Sequence, residues 1–138
     1  MSLTTIFSII IIHWFADFLM QDEKWALGKS KNWTDLLKHT FTYSLIWFII
    51  GMFYTWYLAY NLNWSVTIAC KLILFTLITF IAHTITDYFT SRIVAKKFAN
   101  QEYGSSIPNT GAFTIIGIDQ VLHYIQLFGT YYLLIQEV

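Results

Sequence analysis

Four long segments of predominantly apolar residues dominate this chain. They run from Leu3 to about Met20, from about Thr34 to Tyr60, from about Trp64 to Arg92, and from about Ala112 to Ile135. Each is close to or above the roughly 20 residues that an α-helix needs to cross the hydrocarbon core of a bilayer. The pattern predicts an all-α integral membrane bundle of four transmembrane helices, forming a single domain over residues 1–138.

The composition argues against an ordinary water-soluble domain. Hydrophobic residues make up 57% of the chain and charged residues 12%, whereas a soluble domain carries about 25% charged residues. The formal net charge is zero, so no basic surface for nucleic acid is indicated. The single cysteine, Cys70, excludes an intrachain disulfide and a Cys-x-x-Cys metal site. The first residues, MSLTT, lack a positive region, so we expect a retained helix rather than a signal peptide.

Lysine and arginine concentrate in two of the connections between these segments. The first connection, DEKWALGKSKNWTD, is polar and amphipathic, and the end of the third segment is also basic; the residues concerned are Lys24, Lys29, Lys31, Lys38, Arg92, Lys96 and Lys97. Loops rich in lysine and arginine stay in the cytoplasm. We therefore expect an N-out/C-out protein of the inner (plasma) membrane that crosses it several times, with a short amphipathic cytoplasmic connector.

All four histidines and three of the aspartates fall inside the predicted spans. Six of these residues form pairs with one spacing, namely His13 and Asp17, His83 and Asp87, and Asp119 and His123. Residues four apart lie on the same face of a helix. With the predicted orientation, each pair places its aspartate nearer the cytoplasm. Together with His39 in the second span, these side chains are expected to meet in one layer of the bundle.

Two interpretations of this layer compete. The first is a hydrogen-bonded network that holds the helices together. An ionised aspartate at a helix centre costs roughly 2.5–3.5 kcal/mol on insertion scales. Seven ionisable groups in one layer, three of them aspartates, favour the second interpretation, a divalent metal site. A metal keeps carboxylates ionised and takes neutral imidazole. The seven side chains are more than one tetrahedral zinc uses, so one or two ions are expected. The absence of thiolates is compatible with Zn, Mn, Fe or Co.

Several other polar residues lie beside the predicted layer. Gln21 and Gln120 flank it, either as substrate contacts or as helix caps. Lys38 and Arg92 lie at the predicted cytoplasmic mouth, where they either attract an anionic substrate or simply follow the charge rule for loops. Tyr43 could bond a ligand, although in a chain with nine tyrosines packing is the simpler interpretation.

Four sequence motifs carry a resemblance to a known family. The segments HWFADFLMQ, LLKHTFTYS, AHTITDYFTS and GIDQVLHYIQL resemble the bacterial and phage membrane family of the domain of unknown function 3307, over nearly the whole chain. The chain is also distantly similar to the membrane-bound metal-dependent hydrolases, which place His and Asp in short helical spans. Their HRGxTHS-like segment has no match here.

The favoured hypothesis is a metal-dependent hydrolase whose site opens to the cytoplasm. Metal ions would activate a bound water, and Asp17 or Asp119 would serve as general base. A phosphoester or lipid-linked substrate suits the basic mouth, so membrane lipid and an anionic substrate are the expected partners. The alternatives are a proton or divalent-cation transporter and a non-catalytic membrane adaptor with a structural polar network. The nearly apolar outer halves of the first two spans favour a one-sided pocket over a channel.

Overall fold

The computed structural model describes residues 1–62 and 66–134, and these ranges contain helices and no strand. Helix α1 leads directly into one π-helical turn, and a short helix precedes three long ones. The elements are α1 (Leu3–Trp14), the π-helical turn (Phe15–Leu19), α2 (Glu23–Gly28), α3 (Trp33–Leu62), α4 (Val66–Ala99) and α5 (Ala112–Leu134). The all-α prediction is confirmed.

Helix α4 extends further than the third apolar segment, from which it is predicted. The sequence predicts an end near Arg92, but α4 continues to Ala99 because the following residues, IVAKKFA, include no Gly or Pro that would break a helix. The chain leaves the helical conformation at Gln101, which has a left-handed φ of 59°. The predicted segment ends at Trp64 and Ile135 lie outside the described residues.

The connector between α1 and α3 folds back against α3. Asp22 caps α2 by accepting a hydrogen bond from the backbone of Lys24, and Asn32 accepts one from the backbone N–H of Asp35 at 2.8 Å. Gly28 is buried where the two helices meet, and an added Cβ would overlap the carboxylate of Asp35. Glycine thus permits the close approach that places the next residue, Lys29, over the interior of the bundle.

The bundle has a polar interior and an apolar surface. On α4, Ile81, Ile85 and Phe89 are each more than half exposed, whereas His83 and Asp87 are 1% exposed. A smaller apolar cluster lies in the half of the bundle away from the connector, comprising Ile9, Ala16, Tyr43, Ile46, Trp47, Phe75 and Leu127. Water-soluble monomers rarely present such extensive apolar surface.

Among the described residues, two helical segments are long and apolar enough to cross a membrane. They are Trp33–Tyr57 and Val66–Ala99, while the apolar segment Leu3–Leu19 is shorter. Helix α5 has 23 residues and carries Asp119 and His123, and it does not meet the same criterion of length and hydropathy. Length and composition therefore support two of the four predicted spans.

Candidate metal centre

Asp17 reaches the centre of the bundle from the π-helical turn. A π turn holds one more residue than an α turn and therefore redirects the side chains within it. The Asp17 carboxylate is buried, with Oδ1 3.2 Å from His39 Nε2 and 3.6 Å from His83 Nε2. Its predicted partner on the same helix, His13, is further away, with 3.9 Å between Nε2 and Asp17 Oδ2. The turn thus directs Asp17 toward α3 and α4.

The two pairs on α4 and α5 meet the histidine of α3 at the same place. His39 Nε2 lies 3.0 Å from Asp87 Oδ2 and 3.1 Å from His83 Nε2. His123 Nε2 lies 3.3 Å from Asp87 Oδ1 and 3.6 Å from Asp119 Oδ2. Because antiparallel neighbouring helices carry these pairs, the regular four-residue spacing brings them to one level of the bundle.

Six of the seven predicted ligands fall into three overlapping groups that could hold a metal ion. In each group, one nitrogen or oxygen atom per residue lies within 4.8 Å of the others; the groups are Asp17, His39 and His83; His83, Asp87 and His123; and Asp17, Asp119 and His123. All six side chains are buried. Nitrogen and carboxylate oxygen donors without thiolate suit a divalent first-row metal.

Several buried atoms of these residues make no well-aligned hydrogen bond in the part of the chain that the structure describes. They include Asp17 Oδ1, Asp87 Oδ1 and His123 Nε2, although His39 Nε2 lies 3.2 Å from the first and the other two lie 3.3 Å from each other. Buried polar atoms are nearly always paired, and an unpaired one costs roughly 1–3 kcal/mol. Unpaired lone pairs that converge from three helices fit a bound cation.

His13, the seventh predicted ligand, lies outside these three groups. Its Nδ1 pairs with the Tyr43 hydroxyl at 2.7 Å and its Nε2 with Gln120 Oε1 at 2.8 Å. The Gln120 amide in turn donates to Asp17 Oδ2 at 3.3 Å and to Asp119 Oδ2 at 3.1 Å. His13 and Gln120 therefore orient two carboxylates of the cluster. Tyr43 also belongs to this hydrogen-bonded network. Its position four residues after His39 places both side chains on the same face of α3, and this spacing can be read from the sequence.

Lys29 is a site residue that the sequence marks only as one basic residue of the connector. Its ammonium donates to Asp87 Oδ2 at 2.8 Å and lies 3.4 Å from His39 Nε2. Burial by itself lowers the pKa of Lys29, but the carboxylates of Asp87 and Asp17 outweigh burial, so the pKa is raised. Lys29 thus stays charged and compensates one of the buried carboxylates.

A cavity of about 490 Å³ opens beside the cluster. Residues of the cluster and residues that bond its carboxylates line this cavity, namely Asp17, Lys29, Thr90, Asp119 and Gln120. Thr90 Oγ1 donates to Asp119 Oδ1 at 2.5 Å, so both oxygens of Asp119 accept hydrogen bonds. The predicted substrate residue Gln21 also lines this cavity.

The two predicted basic substrate residues lie outside the cavity wall. Lys38 is exposed, and its ammonium lies 6.0 Å from the centre of the Trp25 ring. The guanidinium of Arg92 lies 3.8 Å above the Tyr88 ring and donates to the Tyr88 carbonyl oxygen at 2.7 Å. The structure brings neither cation to the cluster.

Comparisons with known proteins place the chain in one family. The model of the family described as "Protein of unknown function (DUF3307)" matches residues 5–138. No curated protein and no solved structure matches the chain significantly. The match includes every residue of the His/Asp cluster. The chain therefore belongs to the DUF3307 family of proteins of unknown function.

Proposed function

We propose that this protein is a membrane metalloprotein of four spans whose His/Asp cluster binds one or two divalent metal ions. The polar interior and the apolar surface of α4 support the membrane setting, because a bilayer solvates the exposed Ile81, Ile85 and Phe89. The connector and the end of α4 also lie at one end of the bundle, since Lys29 contacts Asp87. That arrangement agrees with two basic connections on one side of the membrane, the cytoplasmic side.

The unpaired buried ligand atoms carry the proposal. With neutral histidines, the three negative carboxylates of Asp17, Asp87 and Asp119 and the one positive ammonium of Lys29 leave a charge of −2 in the buried centre. Uncompensated charge in such a setting is costly. One divalent cation would neutralise it and at the same time fill the coordination of Asp17 Oδ1, Asp87 Oδ1 and His123 Nε2.

The activity that we propose is hydrolysis of a phosphoester or lipid-linked substrate. Bound metal would lower the pKa of a water and polarise the scissile group. Hydrolysis transfers the hydroxyl of water to the electrophilic atom and a proton to the leaving oxygen. Asp119 suits the role of general base, because it lines the cavity and Thr90 holds its carboxylate in place. Asp17 instead directs Oδ1 toward His39 and His83, as a ligand would.

Substrate would reach the cluster from one side only. The cavity adjoins the cluster at the connector end of the bundle. The opposite half of the bundle has a separate cavity of about 380 Å³, lined mainly by apolar residues such as Ile9, Trp47 and Phe75. None of the seven His/Asp residues lines this second cavity, which supports an enzyme or binding site over a transport pathway.

Metal analysis of purified protein tests this proposal. We expect elemental analysis of protein prepared without chelator to give one or two equivalents of a transition metal per chain. The double variant His83→Ala/Asp87→Asn should contain less than about a tenth of that amount, since it removes ligands from all but one group. A matched control is Thr79→Val, which alters a buried polar residue on the same helix that bonds Gln126 and should retain full metal.

Two results would contradict the proposal. One is wild-type protein without stoichiometric metal after supplementation with Zn, Mn, Fe and Co in turn. The other is a melting temperature that chelator leaves unchanged, because a ligand that binds the native state stabilises it. Either result would favour the structural polar network.

A further inference from the structure

The lining of the cavity beside the cluster combines polar and apolar residues, which we call its polar and apolar walls. The polar wall includes Gln21, Lys29, Lys31, Ser91, Asp119 and Gln120. The other wall is apolar and consists of Phe18, Leu27, Val94, Ala95, Phe98 and Ile116. A volume of about 490 Å³ is typical of pockets that bind small molecules, which occupy roughly 300–1,000 Å³. The division predicts an amphiphilic ligand.

Two oxygens of the polar wall lack a hydrogen-bond partner among the described residues. They are Gln21 Oε1 and Ser91 Oγ, which are buried, although both residues line the cavity. Neither atom belongs to the three groups that could hold metal. Because unpaired buried oxygens are unfavourable, these two atoms indicate a bound group that presents hydroxyls or water.

The charge of the cavity favours an anionic headgroup. Once a divalent cation balances the cluster, Lys31, which lines the cavity, adds a positive charge to its rim. Lys29 also lines the cavity, so its ammonium can donate to a ligand while it holds Asp87. Phosphate oxygens accept hydrogen bonds from such ammonium groups.

The apolar wall continues to the outer surface of the bundle. Phe18, Leu27 and Phe98 are 46%, 64% and 41% exposed. A chain that lies against these side chains therefore passes directly from the cavity to the lipid-facing surface. A ligand without an apolar chain would make no contact with these exposed side chains.

From these features we infer that the cavity binds an amphiphile with a phosphorylated headgroup and one apolar chain. The headgroup lies beside Lys29, Gln21 and Ser91, next to the cluster, and the chain lies along Phe18, Leu27 and Phe98. The inference rests on the proposed function in one respect, because bound metal makes the cavity favourable for an anion. It makes Gln21 and Ser91 substrate-binding residues.

Binding of three radiolabelled probes to the purified protein in neutral detergent tests the inference. The probes are lysophosphatidic acid, which has both parts; glycerol 3-phosphate, which has only the headgroup; and monooleoylglycerol, which has only the chain and glycerol. We expect lysophosphatidic acid to bind at least about tenfold more tightly than either other probe, since burial of a few methylene groups suffices for this factor. Equal binding of glycerol 3-phosphate or of monooleoylglycerol would overturn the inference.

Variants of the polar wall locate the binding site. Ser91→Ala and Gln21→Ala should each weaken binding of lysophosphatidic acid about three- to tenfold, the usual effect of one lost hydrogen bond. Ser44→Ala is a matched control, because Ser44 is also buried but bonds its own helix at Thr40, away from the cavity. Unchanged binding in both Ser91→Ala and Gln21→Ala would overturn the assignment of these residues.

Metal content measured on the same samples separates this inference from the proposed function. Stoichiometric metal together with equal, weak binding of all three probes would overturn the amphiphile and leave the metal site standing. Selective binding of lysophosphatidic acid to protein without metal would support the cavity assignment and contradict the metalloprotein.

Discussion

His83 and His13 are buried to the same degree but have different surroundings. His83 is 1% exposed and His13 is 0% exposed. His83 belongs to two of the three groups that could hold metal. Both ring nitrogens of His13 instead have fixed partners, Tyr43 and Gln120. The first is therefore placed to bind metal, and the second to orient the residues that do.

This difference predicts unequal effects of two equal substitutions. His83→Ala should abolish stoichiometric metal binding, whereas His13→Ala should keep the stoichiometry at saturating metal and lower the affinity about 10- to 100-fold, as loss of a residue that orients ligands does. Titration of chelator-stripped protein with the native metal measures both quantities. Equal loss of stoichiometry in the two variants would make His13 a direct ligand.

Single residues also show which parts of the site the sequence predicts. Regular spacing within helices identified five of the six residues that the structure brings together, because a four-residue interval on an α-helix determines a common face; the sixth, His39, was predicted from its place in the second span, and His13 lies outside the groups. Lys29 could not be predicted in this way, since it enters from a connector whose path depends on the close contact of Gly28 with Asp35. The contact of Asp17 with His39 depends likewise on a π turn that no simple spacing reveals.

The π-helical turn is the element that completes the cluster. It follows α1 without interruption and carries Asp17 in its middle, between Phe15 and Leu19. Turns of this kind occur frequently at functional sites. On a continuous α-helix, Asp17 would share its face with His13 instead of turning to the histidines of α3 and α4.

Deletion of Phe15 tests the role of the turn. Removing one residue allows a regular α-helix and rotates Asp17 by about 100° relative to α1. We expect the deletion variant to lose bound metal while it remains in the membrane. The substitution Phe15→Ala keeps the length and should retain metal, since this side chain is 36% exposed. A deletion variant with full metal occupancy would show that the turn does not position Asp17.

The long helices themselves were predictable from apolar length. The predicted start and end lie close to those of α3, the predicted start of the fourth segment is that of α5, and the first segment, Leu3 to about Met20, corresponds to α1 with the π turn. The length of an apolar segment does not show whether the helix continues into the polar residues that follow. The extension of α4 from Arg92 to Ala99 was therefore not predicted. The number of membrane crossings is a separate question, because composition distinguishes α3 and α4 more clearly than α1 and α5.

At the scale of the whole molecule, the two basic connections share one end of the bundle. Lys29 contacts α4 at Asp87, and the Trp33 ring at the start of α3 stacks on Tyr88 with 4.8 Å between ring centres. An odd number of membrane crossings between these two connections would place them on opposite sides of the membrane. The contact therefore agrees with the proposed two crossings, α3 and α4.

Cysteine labelling tests the proposed orientation. In a Cys70→Ser background, a membrane-impermeant maleimide applied to intact cells should label Ser2→Cys and should not label Lys31→Cys or Gln101→Cys. Permeabilised cells provide the control, because all three positions should then react. Labelling of Lys31→Cys and Gln101→Cys but not of Ser2→Cys in intact cells would show the inverted orientation, with the cavity open to the exterior.

The polar character of α5 has a consequence for biosynthesis. A translocon releases a helix into lipid according to its apolarity, and α5, with Asp119 and His123 on one face, is a poor candidate for release alone. It packs against α4, whose His83 and Asp87 offer partners that lipid cannot. We therefore expect α4 and α5 to enter the bilayer as a hairpin. A chain that stops after Ala99 would expose His83 and Asp87 of α4 to lipid without their partners on α5. Such exposed polar residues would allow cellular quality control to recognise an incomplete protein.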